Sequence, residues 1–132
     1  MRETDLLREF MLLGSEAGAR LFRNNVGVAY RKDGVPVKFG LCKGSSDLIG
    51  WVPVTIRPEH VGARLAVFVA LEVKHPTRGA ATAEQLNFLN QVAAAGGIAI
   101  LSRYPSDSAG ILNQATVGET VSGRLHVQMS RP

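Results

Sequence analysis

Cysteines and long apolar runs are scarce in this sequence. Cys42 is the single cysteine among 132 residues, which excludes an intramolecular disulfide framework and a zinc site built from several cysteines. No apolar run approaches the length that crosses a bilayer. The N-terminus alternates charged and apolar residues, unlike the basic and apolar regions of a secretory signal. We therefore expect a soluble protein of the reducing cytoplasm.

The composition suits one compact domain. Hydrophobic residues make up 45% of the chain, and the formal net charge is +4, from 15 Lys and Arg against 11 Asp and Glu. At this length the hydrophobic content allows a real core and leaves little room for a second one. The moderate basic excess is compatible with a polyanionic partner such as nucleic acid. We predict a single domain over 1–132, with its core at about 3–102 and a C-terminal extension, 103–132, that carries no assigned chemistry.

The hydrophobic pattern predicts an α/β fold in α-β-β-β-α-β order. The predicted elements are a helix from Glu3 to about Leu13, hairpin arms at 26–30 and 35–39, strands at 47–54 and 65–71, a helix from Thr82 to Gly96, and a strand at 98–101. Asp33-Gly34 is typical of a two-residue hairpin loop, and Pro36 confines the second arm to a sheet edge. The tail adds a short helix at 107–114 and an edge strand at 125–129.

The rest of the chain is organised around the stretch from Leu65 to His75. Seven consecutive apolar residues, Leu65 to Leu71, indicate a central strand buried on both faces, although periodicity alone leaves a short buried helix open. Because side chains alternate along a strand, Glu72 and Lys74 are predicted to project from one face. Buried charges must pair with each other or hold a metal ion, so this pair is a candidate site. The alternative is an ordinary salt pair, since Glu-x-Lys is a common triplet.

Three further residues, Asp47, Glu3 and Gln85, have both a structural and a functional interpretation. Asp47 precedes a predicted strand, where Asp is usually a turn residue. Glu3 lies within the apolar stripe of the first helix, and Glu9 lies on the flank of that stripe. The structural alternative for Glu3 is that its negative charge stabilises the N-terminus of the helix. Gln85 is placed to face the sheet, but Thr82 and Gln85 also fit a capping box. The alternatives stay open for each residue.

The densest basic region surrounds the predicted hairpin. It is either solvated surface or a set of phosphate contacts, and its members are Arg23, Arg31, Lys32, Lys38 and Lys43.

Together, these residues could bind a metal ion and activate a water molecule that attacks a phosphodiester. Two carboxylates on adjacent strands, Asp47 and Glu72, can share a hard divalent cation such as Mg²⁺, which prefers oxygen ligands. Lys74 can then orient or deprotonate a bound water that acts as the nucleophile.

At this point the sequence resembles a known group of nucleases. Gly44-Ser-Ser-Asp-Leu-Ile-Gly50 followed by Leu71-Glu-Val-Lys74 is similar to the PD-(D/E)XK superfamily, with Ser46 in place of its proline. More narrowly, five motifs in order resemble the virus-type replication-repair nuclease (VRR-NUC) domains. These motifs are Phe22-Arg-Asn-Asn25, Phe39-Gly40, the Gly-Ser-Ser-Asp stretch, Glu-Val-Lys and Thr82-Ala-Glu-Gln85, and the resemblance covers roughly 3–101.

The resemblance implies a restriction-endonuclease-like core, with a mixed β-sheet flanked by helices, and Mg²⁺- or Mn²⁺-dependent endonuclease action on branched or structured DNA such as four-way junctions or flaps. It implies that Asp47, Glu72 and the Val73 carbonyl hold the metal. Lys74 would serve the water, and Glu3 and Gln85 would complete the catalytic set.

It also implies DNA contacts, a homodimer, and a bacterial or phage-infected cell as the setting. The implied contacts come from Arg23, Asn24, Asn25, Lys38, Lys43, Ser45 and Ser46. The alternative function is a module that binds structured DNA on the same fold without cutting it.

Overall fold

A computed structural model describes residues 2–116, 118 and 122–127 of the protein. Internal contacts divide the chain into two compact units, Met1–Val54 and Thr55–Pro132, and each is described by itself. Helices and small sheets occur in both units. The predicted α/β class is therefore confirmed. Within the described ranges, no helix is both long and apolar enough to cross a membrane.

The first unit combines one helix with two antiparallel strand pairs. Its elements are α1 (Glu3–Glu16), β1 (Arg20–Arg23), β2 (Gly27–Tyr30), β3 (Pro36–Phe39) and β4 (Leu48–Trp51). β1 pairs with β4, and β2 pairs with β3. A Cβ on Gly50 would overlap the Arg20 carbonyl, so glycine allows β4 to lie close to β1. The rings of Phe22 and Trp51 lie 5.3 Å apart on this pair. The sequence prediction contained β4 but not β1.

The predicted hairpin is present, but its loop is longer than predicted. Arg31 donates its backbone N–H to the Val35 carbonyl at 2.9 Å, and Gly34 donates to the Arg31 carbonyl at 2.9 Å. Three residues, 32–34, therefore form the loop instead of two. Gly34 has φ +83, whereas no non-glycine residue in the described ranges has a positive φ. A two-residue type I′ loop requires positive φ at both central residues, which Asp33 does not adopt, so a three-residue loop with glycine last forms instead.

The second unit is a parallel sheet covered by two helices. A 3₁₀ turn (Pro58–His60) precedes β5 (Val69–Val73), α2 (Ala83–Ala94), β6 (Ile98–Ser102), α3 (Pro105–Thr116) and β7 (Leu125–Val127). The strand order is β5-β6-β7, with parallel pairing throughout. Ile98 and Ile100 face α3, which packs on them through Ile111, Leu112 and Ala115. Leu89, Val92 and Ala93 of α2 are buried as well.

The prediction of a buried central strand at 65–71 is wrong in both extent and position. The strand begins at Val69, and β5 lies at the edge of the described sheet, while β6 occupies the centre. Leu65 is 59% exposed and Leu71 41% exposed, and only Ala70 is buried in β5. Three consecutive residues of β6, from Ile98 to Ile100, are buried instead. β6 is buried because it alone has a strand on each side and helices packed against it.

The chain beyond residue 101 is more regular than predicted. The predicted short helix at 107–114 is a 12-residue helix, α3. The predicted strand at 125–129 is β7 over Leu125–Val127, and residues 128–129 lie outside the described residues. Five strands lie between α1 and α2 instead of the three of the predicted α-β-β-β-α-β order. Among the described α-helices and strands, β1 alone has no counterpart in the predicted elements.

Candidate active site

Glu72 and Lys74 lie at the C-terminal end of β5 and project from the same face, as predicted. Alternation along the strand places one residue, Val73, between them and turns it the other way. The Lys74 Nζ lies 3.2 Å from the Glu72 Oε1, and the two side chains are 17% and 28% exposed, respectively. The pair is therefore partly buried, and each charge is compensated by the other.

Gln85 joins this pair from the first turn of α2. Its Oε1 accepts a hydrogen bond from the Lys74 Nζ at 3.0 Å, and its Nε2 donates to the Glu72 Oε1 at 2.8 Å. Lys74 Nζ can only donate, and an ionised carboxylate can only accept, so the orientation of the amide is fixed by its partners. The three side chains form a closed triangle of polar contacts.

The same amide also caps α2. Its Oε1 accepts from the Thr82 backbone N–H at 2.9 Å, and the Gln85 N–H donates to the Thr82 Oγ1 at 3.1 Å. This is the predicted capping box, which satisfies two otherwise unpaired donors of the helix start. The cap and the predicted orientation of Gln85 toward the sheet are thus both present, because one oxygen accepts from the Thr82 N–H and from Lys74. A catalytic role of Gln85 stays a prediction.

The triangle retains unused bonding capacity. Among the described residues, none donates a hydrogen bond to Glu72 Oε2, and two of the three Lys74 N–H groups suffice for the contacts in the triangle. Beside it lies an open groove of about 470 Å³, whose walls include Phe68, Ala70 and Phe88. One carboxylate oxygen and one ammonium proton are therefore available to a ligand.

The Val73 carbonyl points away from β6. Lys74 donates its N–H to the Ser102 carbonyl, and the Phe68 carbonyl accepts from Ile98, so the peptide groups of even-numbered residues here face β6. Those of Val73 face the other side of β5, on which the described residues form no strand ladder. Glu72 Oε2 and this carbonyl are the kind of oxygen ligands that Mg²⁺ and Mn²⁺ take, so the donor set at the end of β5 fits the implied metal.

Asp47 lies in the first unit, at the start of β4. Its backbone carbonyl accepts from the Asn24 N–H at 2.8 Å, which continues the β1–β4 ladder by one residue pair. The Asp47 side chain is exposed, and no described residue forms a hydrogen bond or ion pair with its carboxylate. Asp47 lies in a bend directly before β4, which agrees with its interpretation as a turn residue, and its functional interpretation stays a prediction.

The loop before Asp47 is organised by Asn24, which is 8% exposed. Its Nδ2 donates to the Ser45 Oγ at 2.8 Å and to the Ser46 carbonyl at 2.9 Å, while its Oδ1 accepts from the Leu41 N–H at 3.0 Å. The Ser45 Oγ in turn donates a hydrogen bond to the Cys42 carbonyl at 2.7 Å. The structure thus gives the Asn24 and Ser45 side chains internal partners, and DNA contacts from them stay a prediction.

The other residues predicted to bind DNA lie on the surface of the first unit. Arg23, Asn25, Lys38, Lys43 and Ser46 are exposed. Arg23 donates through its Nε to the Asn25 Oδ1 at 2.9 Å, whereas Arg31 is paired with Asp33 at 2.9 Å.

The two candidate acids of α1 are both exposed. Leu7, Met11 and Gly14 are half-buried on one side of the helix, and α1 packs on β1. Rotation of about 100° per residue places Glu3 on the side of Leu7, and Glu9 on the opposite side. Glu3 is therefore the better aligned of the two with the packed face.

Sequence reasoning missed Arg103, which follows β6. Its guanidinium donates to the carbonyls of His75 at 2.7 Å, Arg78 at 3.0 Å and Gly79 at 2.6 Å. It thereby closes the loop that connects Lys74 to α2. Because β5 and β6 are parallel and Val73 pairs with Ser102, Arg103 lies next to the segment that follows β5. The signal in the sequence was an arginine directly after a short buried strand.

The predicted site residues therefore fall into two groups. Glu72, Lys74 and Gln85 meet in the second unit, and Asp47 and the 23–46 residues belong to the first. Within the described residues, no group of three or more His, Cys, Asp or Glu side chains is close enough to hold a metal ion. No protein-family model matches the chain, and no curated protein or solved structure is significantly similar to it.

Proposed function

We propose that the protein is a metal-dependent endonuclease with a restriction-endonuclease-like core that hydrolyses phosphodiester bonds in DNA. The observation that carries the proposal is the triangle of Glu72, Lys74 and Gln85 at the end of β5, with one carboxylate oxygen and one ammonium proton left for a ligand. An ordinary surface salt pair needs no third side chain to fix its geometry. Here an amide held by a helix cap fixes both charged partners.

Asp47, Glu72 and the Val73 carbonyl would hold Mg²⁺ or Mn²⁺. When bound, the metal neutralises charge that develops on the phosphate and lowers the pKa of a bound water. That Asp47 and Glu72 share one metal is a part of the proposal that rests on the sequence resemblance. Neither carboxylate is fully used by the described residues of its own unit.

Lys74 would orient the attacking water through its remaining N–H. Its other contacts, to Glu72 and Gln85, hold the ammonium in place, so little side-chain freedom is lost when water binds. The Glu72 charge beside it keeps the ammonium compensated in a partly buried position.

DNA would bind through basic residues of the first unit. Between positions 20 and 43 the only acid is Asp33, and the exposed bases are Arg20, Arg23, Arg31, Lys32, Lys38 and Lys43. Such residues contact phosphates and make binding sensitive to salt. Selectivity for four-way junctions or flaps and a homodimeric assembly are parts of the proposal that rest on the sequence resemblance.

A cleavage assay tests the proposal. Four-way junctions, flaps, nicked duplexes and linear duplexes are incubated with protein in Mg²⁺, Mn²⁺ or EDTA. We expect cleavage of at least one branched substrate with metal and none in EDTA. Glu72→Gln should abolish cleavage, and Glu59→Gln, which removes an exposed acid of the same unit, should not. Cleavage that persists in EDTA or in Glu72→Gln would overturn the proposal, and salt-sensitive binding of junctions without cleavage by the wild type would identify a DNA-binding module.

A further inference from the structure

Asn24 is the only buried polar side chain described in the first unit. Both of its Nδ2 protons and its Oδ1 have partners, and all three partners lie in the segment 41–46. The Ser46 carbonyl can only accept and the Leu41 N–H can only donate, so the orientation of the Asn24 amide is determined. One side chain therefore anchors this loop at its beginning and at its end.

The anchoring depends on a close approach at Gly40. Gly40 has φ +82, and a Cβ there would overlap the Asn25 carbonyl and press on the backbone of Val26. Glycine at position 40 thus allows the chain after β3 to lie against the backbone of Asn25 and Val26. In this arrangement the Leu41 N–H donates to the Asn24 Oδ1.

The loop leads directly to Asp47. The Asn24 Nδ2 group holds Ser45 and Ser46, the two residues that precede Asp47, and the Asn24 backbone N–H holds the Asp47 carbonyl. The main chain of Asp47 is therefore held by Asn24 on the side of the loop and by β1 on the side of the strand, while its carboxylate stays exposed.

We propose that Asn24 is a positioning residue that sets the Asp47 carboxylate for metal binding through the 41–46 loop, and does not itself contact DNA. This inference rests on the proposed nuclease function. Loss of a hydrogen-bond partner that orients a metal ligand typically lowers metal affinity or activity by about 10- to 100-fold. Asn24→Asp keeps the size and the acceptor for Leu41 but removes both donors, so it acts on the end of the loop that leads to Asp47.

The direct test is a titration of Mn²⁺ alone into full-length protein by calorimetry, together with single-turnover cleavage. We expect Asn24→Asp to weaken Mn²⁺ binding about 10-fold or more, as does the loss of an orienting partner elsewhere, with junction binding in EDTA changed by less than about twofold because phosphate contacts dominate that affinity. Asn113→Asp, an exposed position of α3, controls for the added charge. Unchanged Mn²⁺ affinity in Asn24→Asp would overturn the inference, as would loss of junction binding alone.

A double-mutant cycle separates positioning from general destabilisation. If Asn24 acts through Asp47, Asn24→Asp should change Mn²⁺ affinity by less than about twofold when Asp47→Asn is already present, because the coupled pair is not additive. Fully additive effects would show that Asn24 only supports the fold.

Trypsin cleavage after Lys43 provides a readout that needs no metal. Release of the loop should accelerate cleavage at Lys43 selectively, since locally opened segments are cut first, while uniform cleavage at all sites would report unfolding.

If Asn24→Asp unfolds, Ser45→Ala removes one partner of Nδ2 and should give the same selective cleavage with weakened Mn²⁺ binding. A folded Ser45→Ala protein with neither change would overturn the inference. A wild type that binds no Mn²⁺ and cuts no DNA would instead refute the proposed function, with selective cleavage at Lys43 still reporting the loop anchor.

Discussion

Gln85→Glu separates the two roles of Gln85. Glutamate at this position can still accept from the Thr82 N–H, because a capping box takes either Glu or Gln, and it can still accept from the Lys74 Nζ. The variant loses only the Nε2 donor that lies 2.8 Å from the Glu72 Oε1. A second carboxylate then faces Glu72 at the point where the hydrogen bond was.

The magnitude follows from the contact that is lost. A hydrogen bond to a charged group contributes about 1.5–3 kcal/mol, which corresponds to about a 10- to 100-fold change in an equilibrium or rate constant. Repulsion between the carboxylates adds to this loss, while Lys74, 3.2 Å from Glu72, offsets part of it. We therefore expect single-turnover cleavage by Gln85→Glu to fall by at least about 10-fold.

Thr82→Ala is the matched variant, because it removes the hydroxyl that accepts from the Gln85 N–H and leaves the triangle. Loss of an N-cap hydroxyl costs about 1 kcal/mol, and for a chain of this size that lowers the melting temperature by about 3–6 °C. We expect Thr82→Ala to melt earlier and cleave normally. Gln85→Glu should melt earlier as well, because the lost hydrogen bond also stabilises the fold, and it alone should cleave slowly at a temperature well below both melts. Circular dichroism melts and cleavage time courses measure both. If Gln85→Glu cleaves like the wild type, the triangle is structural, and the reasoning about Gln85 is refuted.

Three further predictions concern the charged residues of the candidate site. Asp47→Ala and Glu72→Ala should each abolish metal-dependent cleavage and retain most DNA binding in gel-shift assays, since phosphate contacts supply most of the affinity; equal cleavage by Asp47→Ala would contradict the metal assignment. Lys74→Met keeps the aliphatic stem and should reduce turnover at least ~10²-fold with little change in the metal titration, whereas normal turnover would make Lys74 a structural partner of Glu72. Glu3→Gln should weaken Mg²⁺-dependent cleavage without changing the melting temperature, and Glu9→Gln should alter neither; the reverse pattern would show that Glu9 is the functional acid.

The sequence predicted the contacts that depend on short spacing. Strand alternation placed Glu72 and Lys74 on one face, and the spacing of Thr82 and Gln85 predicted the helix cap. Both rules concern residues within a turn or a few strand positions of each other. The helical rotation also places Gln85 toward the sheet, which is why its contact with the pair was within reach of the sequence.

Contacts that join distant segments were missed for a physical reason. The side-chain bonds of Asn24 span 17 to 22 residues, and those of Arg103 span 24 to 28. The local pattern does not reveal the partners of either residue, because these are backbone carbonyls, an N–H group and one serine in distant segments. β5 was misplaced for a similar reason: an apolar run indicates burial but does not reveal how many strands lie beside it.

The two carboxylates among the candidate metal ligands, Asp47 and Glu72, share one structural feature, although they belong to different units. Each lies next to an amide side chain whose orientation is fixed by partners that can only donate or only accept: Gln85 beside Glu72, and Asn24 beside the Asp47 segment. An amide can hold a carboxylate or a loop without adding charge, so it leaves the negative charge of the ligand available to a cation. Conversion of either amide to the matching acid keeps the shape and removes the donors. Gln85→Glu should therefore act on Glu72 directly, by charge repulsion and a lost hydrogen bond, whereas Asn24→Asp should act on Asp47 only through the loop that leads to it.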